Sequence, residues 1–125
     1  LGSKTDGGFY KRIKDENGKS TILSLDLKTL EYSPVKKVSF ETLNTAKKIS
    51  NVIDRFSVLV EGTDKAGEFY RFNFGTMFSY IQNRIPEISD ELYRIDDALR
   101  AGFGWKNGPF QIWNSIGIKK GVEIM

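Results

Sequence analysis

The stretch EISDELYRIDDALRAGFGWKNGPFQIWNSIGI, residues 87–118, decides the fold. It reads as helix, tight loop, helix. Ser89 has the side chain of an N-cap, and Asp90 and Glu91 behind it suit the positive end of a helix dipole. Ile88 before the cap and Tyr93 four residues after it have the spacing of a hydrophobic staple. Leu92, Ile95 and Leu99 follow at three- and four-residue steps, the period of one buried helix stripe. Gly102 is the expected stop, because glycine takes the left-handed conformation that ends many helices. Gly108-Pro109 then opens a second helix, since proline suits a first helical position, where its missing N–H is no loss. From that helix Phe110, Trp113 and Ile116 are expected to face inward.

The same period extends upstream. Asp64 is placed to cap a long helix on which Tyr70, Phe74, Met77, Phe78, Ile81 and Ile85 share a face. Phe69, Phe72 and Tyr80 broaden that face, which predicts a central helix buried over much of its surface. Gly75 inside it predicts close approach by a neighbour, and Pro86 should end or kink it. Before it, Phe40, Leu43, Ala46, Ile49, Ile53 and Phe56 recur at helical steps behind a cap at Ser39. Ser50 is a candidate restart, and Gly62 a stop after Val58-Leu59-Val60.

The first third reads differently. Asn17-Gly18 is a strong hairpin signal because both residues tolerate positive φ. Leu23, Leu25 and Leu27 alternate with Ser24 and Asp26, a strand pattern, and Lys28-Thr29 makes a second turn. Leu30–Tyr32 supplies a third strand that Ser33-Pro34 closes. Such a meander is marginal alone and is expected to pack on helices. The predicted class is therefore α+β and predominantly α-helical, a short N-terminal β-meander followed by a bundle of about four to five helices.

Composition narrows the function. The 125 residues include no histidine and no cysteine. That removes Ser-His-Asp and Cys-His arrangements, disulfides and thiolate metal sites together. The net charge of +3 is uneven. Residues 1–60 carry eleven basic and seven acidic side chains, and residues 61–100 carry five and eight. Lys36-Lys37, Lys47-Lys48 and Lys119-Lys120 are pairs and not a dense run, which reads as a solvated surface. No apolar run is long enough to span a membrane. The chain does not begin with Met, and Glu123-Ile124-Met125 supplies no closing cap, so it is expected to be a piece of a longer protein.

The run 87–118 resembles the C-terminal domain of 3-hydroxyacyl-CoA dehydrogenases. The resemblance is carried by Ile95-Asp96-Asp97-Ala98, Gly102-Phe103-Gly104, Gly108-Pro109-Phe110 and Ile116-Gly117. The Phe-Gly-Trp form, with Trp105, is most similar to large multifunctional bacterial members that also hydrate enoyl-CoA. Lys4-Thr5-Asp6-Gly7-Gly8-Phe9-Tyr10 resembles the sequence with which a copy of that domain ends, departing from it at Asp6. The resemblance covers residues 3–12 and 64–118 well and the part between them loosely. An ending motif placed before a mid-domain motif implies two tandem copies. Residues 1–12 would be the tail of the first copy, 13–38 a β-rich connection, and 39–125 the front part of the second.

What the resemblance implies for function follows the family. An upstream domain binds NAD, and a His–Glu pair there takes the proton of the 3-hydroxyl group in fatty-acid β-oxidation. The helical domain packs against it, closes over the acyl-CoA and contributes dimer or pseudo-dimer contacts. With no histidine, this chain is expected to be inactive alone and to bind neither NAD nor a metal. Gly8, Phe9, Tyr10, Asp96, Ala98, Gly102, Gly104, Gly108, Pro109, Phe110 and Gly117 are expected to be structural. Trp105, Trp113, Phe74 and Phe78 are the candidates for interface or acyl-chain contact. Asn83-Arg84 looks like a substrate-reading pair of the family, but it sits too close to Gly108-Pro109-Phe110 to take that role.

Three other readings follow from the residues. GFGWKNG follows a helix, where a dinucleotide fingerprint requires a strand before it. Asp90, Glu91, Asp96 and Asp97 read as one solvated helix face. No nucleic-acid or membrane partner is expected, and the location expected is cytoplasmic. The alternative class is a stand-alone basic α+β module that binds nucleic acid or a partner protein.

Overall fold

The computed structural model describes residues 7–14, 16 and 18–125. The chain divides into two compact units, Leu1–Val38 and Ser39–Met125.

The first unit is a three-stranded antiparallel sheet in the order β1-β2-β3, built from β1 (Tyr10–Lys14), β2 (Ser20–Leu25) and β3 (Tyr32–Pro34). Tyr10 pairs with Ser24 and Lys14 with Ser20, so the chain reverses between them as the hairpin signal predicts. Asn17 itself lies outside the described residues, and Gly18 has φ of +76°. At the second reversal the Asp26 carboxylate accepts from the N–H groups of Lys28 (2.8 Å) and Thr29 (3.1 Å). Those two bonds hold its carboxyl below the ordinary value. Leu30 takes a φ of +59° in this turn, so the third strand starts at Tyr32 and includes Pro34, an edge position that proline tolerates. Leu27 lies beyond β2 and is exposed, because the alternation expected through it stops where the Asp26 turn begins.

The expected boundary between residues 12 and 13 falls inside β1. Gly8 is buried, and its carbonyl accepts from the Tyr32 hydroxyl at 2.7 Å. Phe9 and Tyr10 are exposed. Lys4, Thr5 and Asp6 of the N-terminal motif lie outside the described residues.

The second unit has six helices: α1 (Glu41–Lys47), α2 (Arg55–Glu61), α3 (Lys65–Ile88), α4 (Leu92–Phe103), α5 (Pro109–Ile116) and α6 (Ile118–Glu123). The sheet-then-helices order agrees with the sequence reading. The stretch 39–61 makes two helices, and α6 is additional to the four to five expected.

Several boundaries are corrected by side chains that bond elsewhere. Phe40, and not Ser39, is the N-cap of α1, while the Ser39 hydroxyl accepts from Asn44 Nδ2 at 2.9 Å. The helical run restarts at Asp54-Arg55 and not at Ser50. There the Arg55 guanidinium donates to the Ile49 carbonyl at 2.7 Å. Gly62 ends α2 as expected, and Arg71 covers the open carbonyls of Val60 and Gly62. Such groups have no partner within a helix end and must find one.

Asp64 caps α3, accepting from the N–H groups of Ala66 and Gly67 at 3.1 Å each and from Thr42 N–H of α1 at 3.1 Å. One carboxylate thus satisfies a helix start and ties two helices. Its burial works to raise the pKa. The hydrogen bonds from the Thr42 side chain and from the backbone of Thr42, Gly67 and Ala66 outweigh it, so the carboxyl lies below its ordinary value of 3.8.

α3 continues past Pro86 to Ile88, so the proline does not end it. Its inner face carries the core: Phe78 and Ile81 are buried with Ile112 of α5, and Phe56, Phe74, Met77 and Trp113 pack on them. Gly75 meets the backbone carbonyl of Ile124, the close approach its presence predicts. Burial on the outer side is less than expected, since Phe69, Phe72 and Tyr80 are exposed. The neighbours of α3 among the described residues (α1, α2, α5 and α6) cover only part of its circumference.

Candidate functional site

The motif-bearing residues converge on the joint between α4 and α5. α4 begins later than expected. Ser89 is consumed in ending α3, where its N–H donates to the Ile85 carbonyl, and its hydroxyl accepts from Glu91 N–H at 3.2 Å. Glu91 is therefore the N-cap, and Ile88 and Tyr93 are both exposed instead of forming a staple. α4 also ends later. Gly102 lies within its last turn, and Gly104 supplies the left-handed C-cap with φ of +66°.

The joint is closed by Asp96. Its carboxylate is 6% exposed and accepts from Phe110 N–H at 2.7 Å and from Gln111 N–H at 3.1 Å. Gly108 is the N-cap of α5, Pro109 its first residue, and the Gln111 side chain accepts from Gly108 N–H at 3.0 Å. Proline has no N–H to satisfy. All the open donors from Gly108 to Gln111 are thereby paired, two of them by a residue on another helix. A Cβ at position 108 would strike the Asp96 side chain, so this glycine is required by the approach of the carboxylate. The reading of Asp96 as part of a solvated acidic face is corrected. Asp97 does face solvent, beside Arg100 at 3.4 Å.

Below the joint runs a column of rings. Phe56 meets Phe74 edge-on at 5.6 Å, Phe74 stacks on Phe78 at 6.1 Å, and Phe78 stacks on Trp113 at 4.8 Å. Phe110 also stacks with Trp113, at 6.1 Å. The Trp113 indole N–H donates to the Ile118 carbonyl at 3.2 Å, and the ring lies against Gly121 of α6. Gly117, with φ of +99°, makes the bend between α5 and α6. Phe78 is fully buried and Phe74 and Trp113 partly so. An apolar groove of about 280 Å³ opens beside the column, lined by Leu92, Phe110, Trp113, Asn114 and Ile118.

Trp105 sits in the loop itself, 40% exposed, and Ala98 is on the outer side of α4. Among the described residues, no group of three or more His, Cys, Asp or Glu side chains is arranged to hold a metal ion. No helix among them is long and apolar enough to cross a membrane. The groove residue Ile118 and the carbonyl-capping Arg71 had no signal in the sequence beyond residue type, and Leu92, expected on the buried stripe of α4, is exposed at the groove.

Comparison with known proteins gives the kinship. Over 123 residues, 98% of the chain, it is 35% identical to a Bacillus subtilis protein named "Probable 3-hydroxyacyl-CoA dehydrogenase". It is 29% identical over its whole length to a Rickettsia prowazekii protein named "Putative fatty acid oxidation complex trifunctional enzyme". A Rickettsia felis protein of the same name is 32% identical over 93% of the chain. The chain is related to a segment of the 3-hydroxyacyl-CoA dehydrogenases. It spans about 15% of the length of the curated relatives it matches. No family model and no solved structure matches it.

The dehydrogenase relationship extends through the middle section, residues 13–63, where the motif resemblance was loose. It also raises the question of NAD. The start of α5 is where the glycine-rich loop meets a helix N-terminus, the usual seat of a pyrophosphate. Here the Asp96 carboxylate and the Gln111 side chain take those donors, and the negative charge of Asp96 would repel a phosphate. The loop of this dehydrogenase-related segment does not fit a dinucleotide.

Proposed function

We propose that the chain is a non-catalytic packing segment from the helical C-terminal part of an NAD-dependent 3-hydroxyacyl-CoA dehydrogenase of fatty-acid oxidation. One observation carries the reading. The residues that mark the family resemblance at the α4–α5 joint are engaged in joining helices, through Asp96, Gly108 and Pro109, and present no reacting group. The relatedness over nearly the whole chain supports the parent activity, and the lack of histidine supports a reading in which the acid–base chemistry lies outside this segment. In this reading NAD and the catalytic pair belong to an upstream domain of the same chain, and acyl-CoA is the parent's substrate. The β-rich unit then connects an upstream helical copy to residues 39–125, the front part of a second copy. The groove beside Trp113 is the surface suited to an acyl chain, being lined by apolar side chains and Asn114.

The test has two arms. The 125-residue chain mixed with a 3-hydroxyacyl-CoA and NAD should give no rise in NADH absorbance, and steady turnover would refute the assignment. In the full-length protein that carries this segment, Asp96 is replaced by alanine. The melting temperature should fall while KM for NAD stays unchanged. A raised KM for NAD with unchanged stability would show that the joint reads the cofactor.

A further inference from the structure

We propose that Asn107 is a deamidation site held shut by the first turn of α5, so that it converts only while the α4–α5 joint is open. The reactive pair is Asn107-Gly108. Glycine has no side chain to shield its backbone nitrogen and turns freely about its own bonds, so that nitrogen reaches the preceding amide more readily than one behind a bulkier residue. The step needs no reagent but water. Gly108 N attacks Asn107 Cγ, and the new N–Cγ bond closes a five-membered succinimide. The side-chain nitrogen leaves as ammonia, taking the proton that Gly108 N gives up. Water then opens the ring at one of its two carbonyls, giving aspartate or, with the main chain rerouted through Cγ, isoaspartate.

In the folded joint the amide is free and its attacker is not. The Asn107 side chain is half-buried, and no hydrogen bond holds it among the described residues. Gly108 is fixed on three sides. Its N–H donates to Gln111 Oε1 at 3.0 Å, its carbonyl accepts from Ile112 N–H at 3.0 Å, and a side chain on its Cα would strike Asp96. Pro109 behind it is fully buried. The peptide plane that must turn to bring the nitrogen onto Cγ is therefore anchored on both sides of Gly108. The succinimide carries no N–H at this nitrogen, so its formation also forfeits the Gln111 bond.

Opening is thus the gate, and the product does not refit. Isoaspartate adds one atom to the main chain directly before Gly108, which shifts the N–H away from the Gln111 side chain and the Cα away from Asp96. Each conversion is an irreversible record of one opening of the joint, and a limit on its lifetime as a rate and not an equilibrium. The chain carries its own reference, since the same pair recurs as Asn17-Gly18. Gly18 is exposed, and nothing lies within 4 Å of where its side chain would be. The gate depends on the geometry of the joint alone and is independent of the dehydrogenase reading.

Peptide mapping by mass spectrometry tests it, following the amide-to-acid mass gain at each asparagine while the 125-residue chain stands in mildly alkaline buffer. Asn17 should convert first, and Asn107 more slowly by about tenfold or more, because the bonds on Gly108 must open beforehand. In concentrated urea the two should convert at comparable rates. Gln111 is exposed, so Gln111→Ala should leave the circular dichroism spectrum unchanged and speed Asn107 alone by about fivefold. Gly75→Ala disturbs the contact with Ile124 and leaves the Gly108 bonds intact, so the Asn107 rate should stay near the parent's. The isoaspartyl fraction, separated by ion exchange, should melt below the unconverted chain. Asn107 converting as fast as Asn17 in the folded chain would overturn the proposal, as would a rate indifferent to Gln111→Ala. Equal acceleration by Gly75→Ala would overturn it too, by showing that global unfolding sets the rate.

Discussion

Asp96→Ala is the perturbation that reads the α4–α5 joint most directly. The substitution removes two hydrogen bonds made by a buried carboxylate to the N–H groups of Phe110 and Gln111. Loss of an N-cap side chain costs about 1 kcal/mol and up to about 2. Hydrogen bonds to a charged partner are worth about 1.5–3 kcal/mol, and a donor left buried without an acceptor keeps its desolvation penalty. Water reaches this site poorly, since Asp96 is 6% exposed and Pro109 is fully buried. The expected loss is therefore about 2–4 kcal/mol, a fall in melting temperature of about 10–20 °C for a unit of this size.

Asp97→Ala is the internal control. Its carboxylate is exposed and meets Arg100 at 3.4 Å, so the change should stay within about 0.5 kcal/mol. Urea unfolding followed by tryptophan fluorescence compares the two, Trp113 being stacked in the core. Equal midpoints for the two variants, or an Asp96→Ala midpoint at the parent value, would refute the capping argument. A shift accompanied by a changed m-value would mean that the two-state comparison had failed.

Two further outcomes follow from close contacts. Gly75→Ala should destabilise although alanine is the better helix former by about 1 kcal/mol, because its Cβ would collide with the Ile124 carbonyl; a rise in melting temperature would show that α6 yields. Asp64 sets part of the acid limit. Its carboxyl lies below 3.8 in the folded chain, so its contribution is complete above that value and is lost as pH falls through the lower folded one. An acid titration of stability should therefore be shallower in Asp64→Asn below pH 3.8, and superimposable curves would remove Asp64 from the account.

The parts of the fold legible in the sequence are those where local chemistry and tertiary need coincide. Asp64 begins α3 because a carboxylate satisfies its first N–H groups, and Thr42 adds to the same side chain without competing. Pro109 opens α5 for a reason internal to proline. Gly75 signals a neighbour because no other residue admits one so near. The errors fall where two elements compete for one residue. Ser89 has the side chain of a helix start, but its backbone ends the helix before it. Gly102 can stop a helix, yet Gly104 two residues on takes the left-handed turn. Phe69, Phe72 and Tyr80 look like core because type and spacing count apolar residues, while burial depends on how many neighbours surround the helix. Asp96 and Asp97 show the same limit at the site. They are adjacent and chemically identical, and only the arrival of α5 makes one a buried cap and leaves the other in water.

That last contrast bears on what relatedness over this segment means. Asp96, Gly108 and Pro109 form a matched set. The carboxylate fills the donors of α5, the glycine leaves room for the carboxylate, and the proline removes a donor that the carboxylate cannot reach. Changing Asp96 or Gly108 strands a buried polar group or forces a collision, so packing alone accounts for the set. Such a set is accounted for without any contact to substrate. Packing and chemistry are separable here, and Asp96→Ala tests the packing without presuming the chemistry.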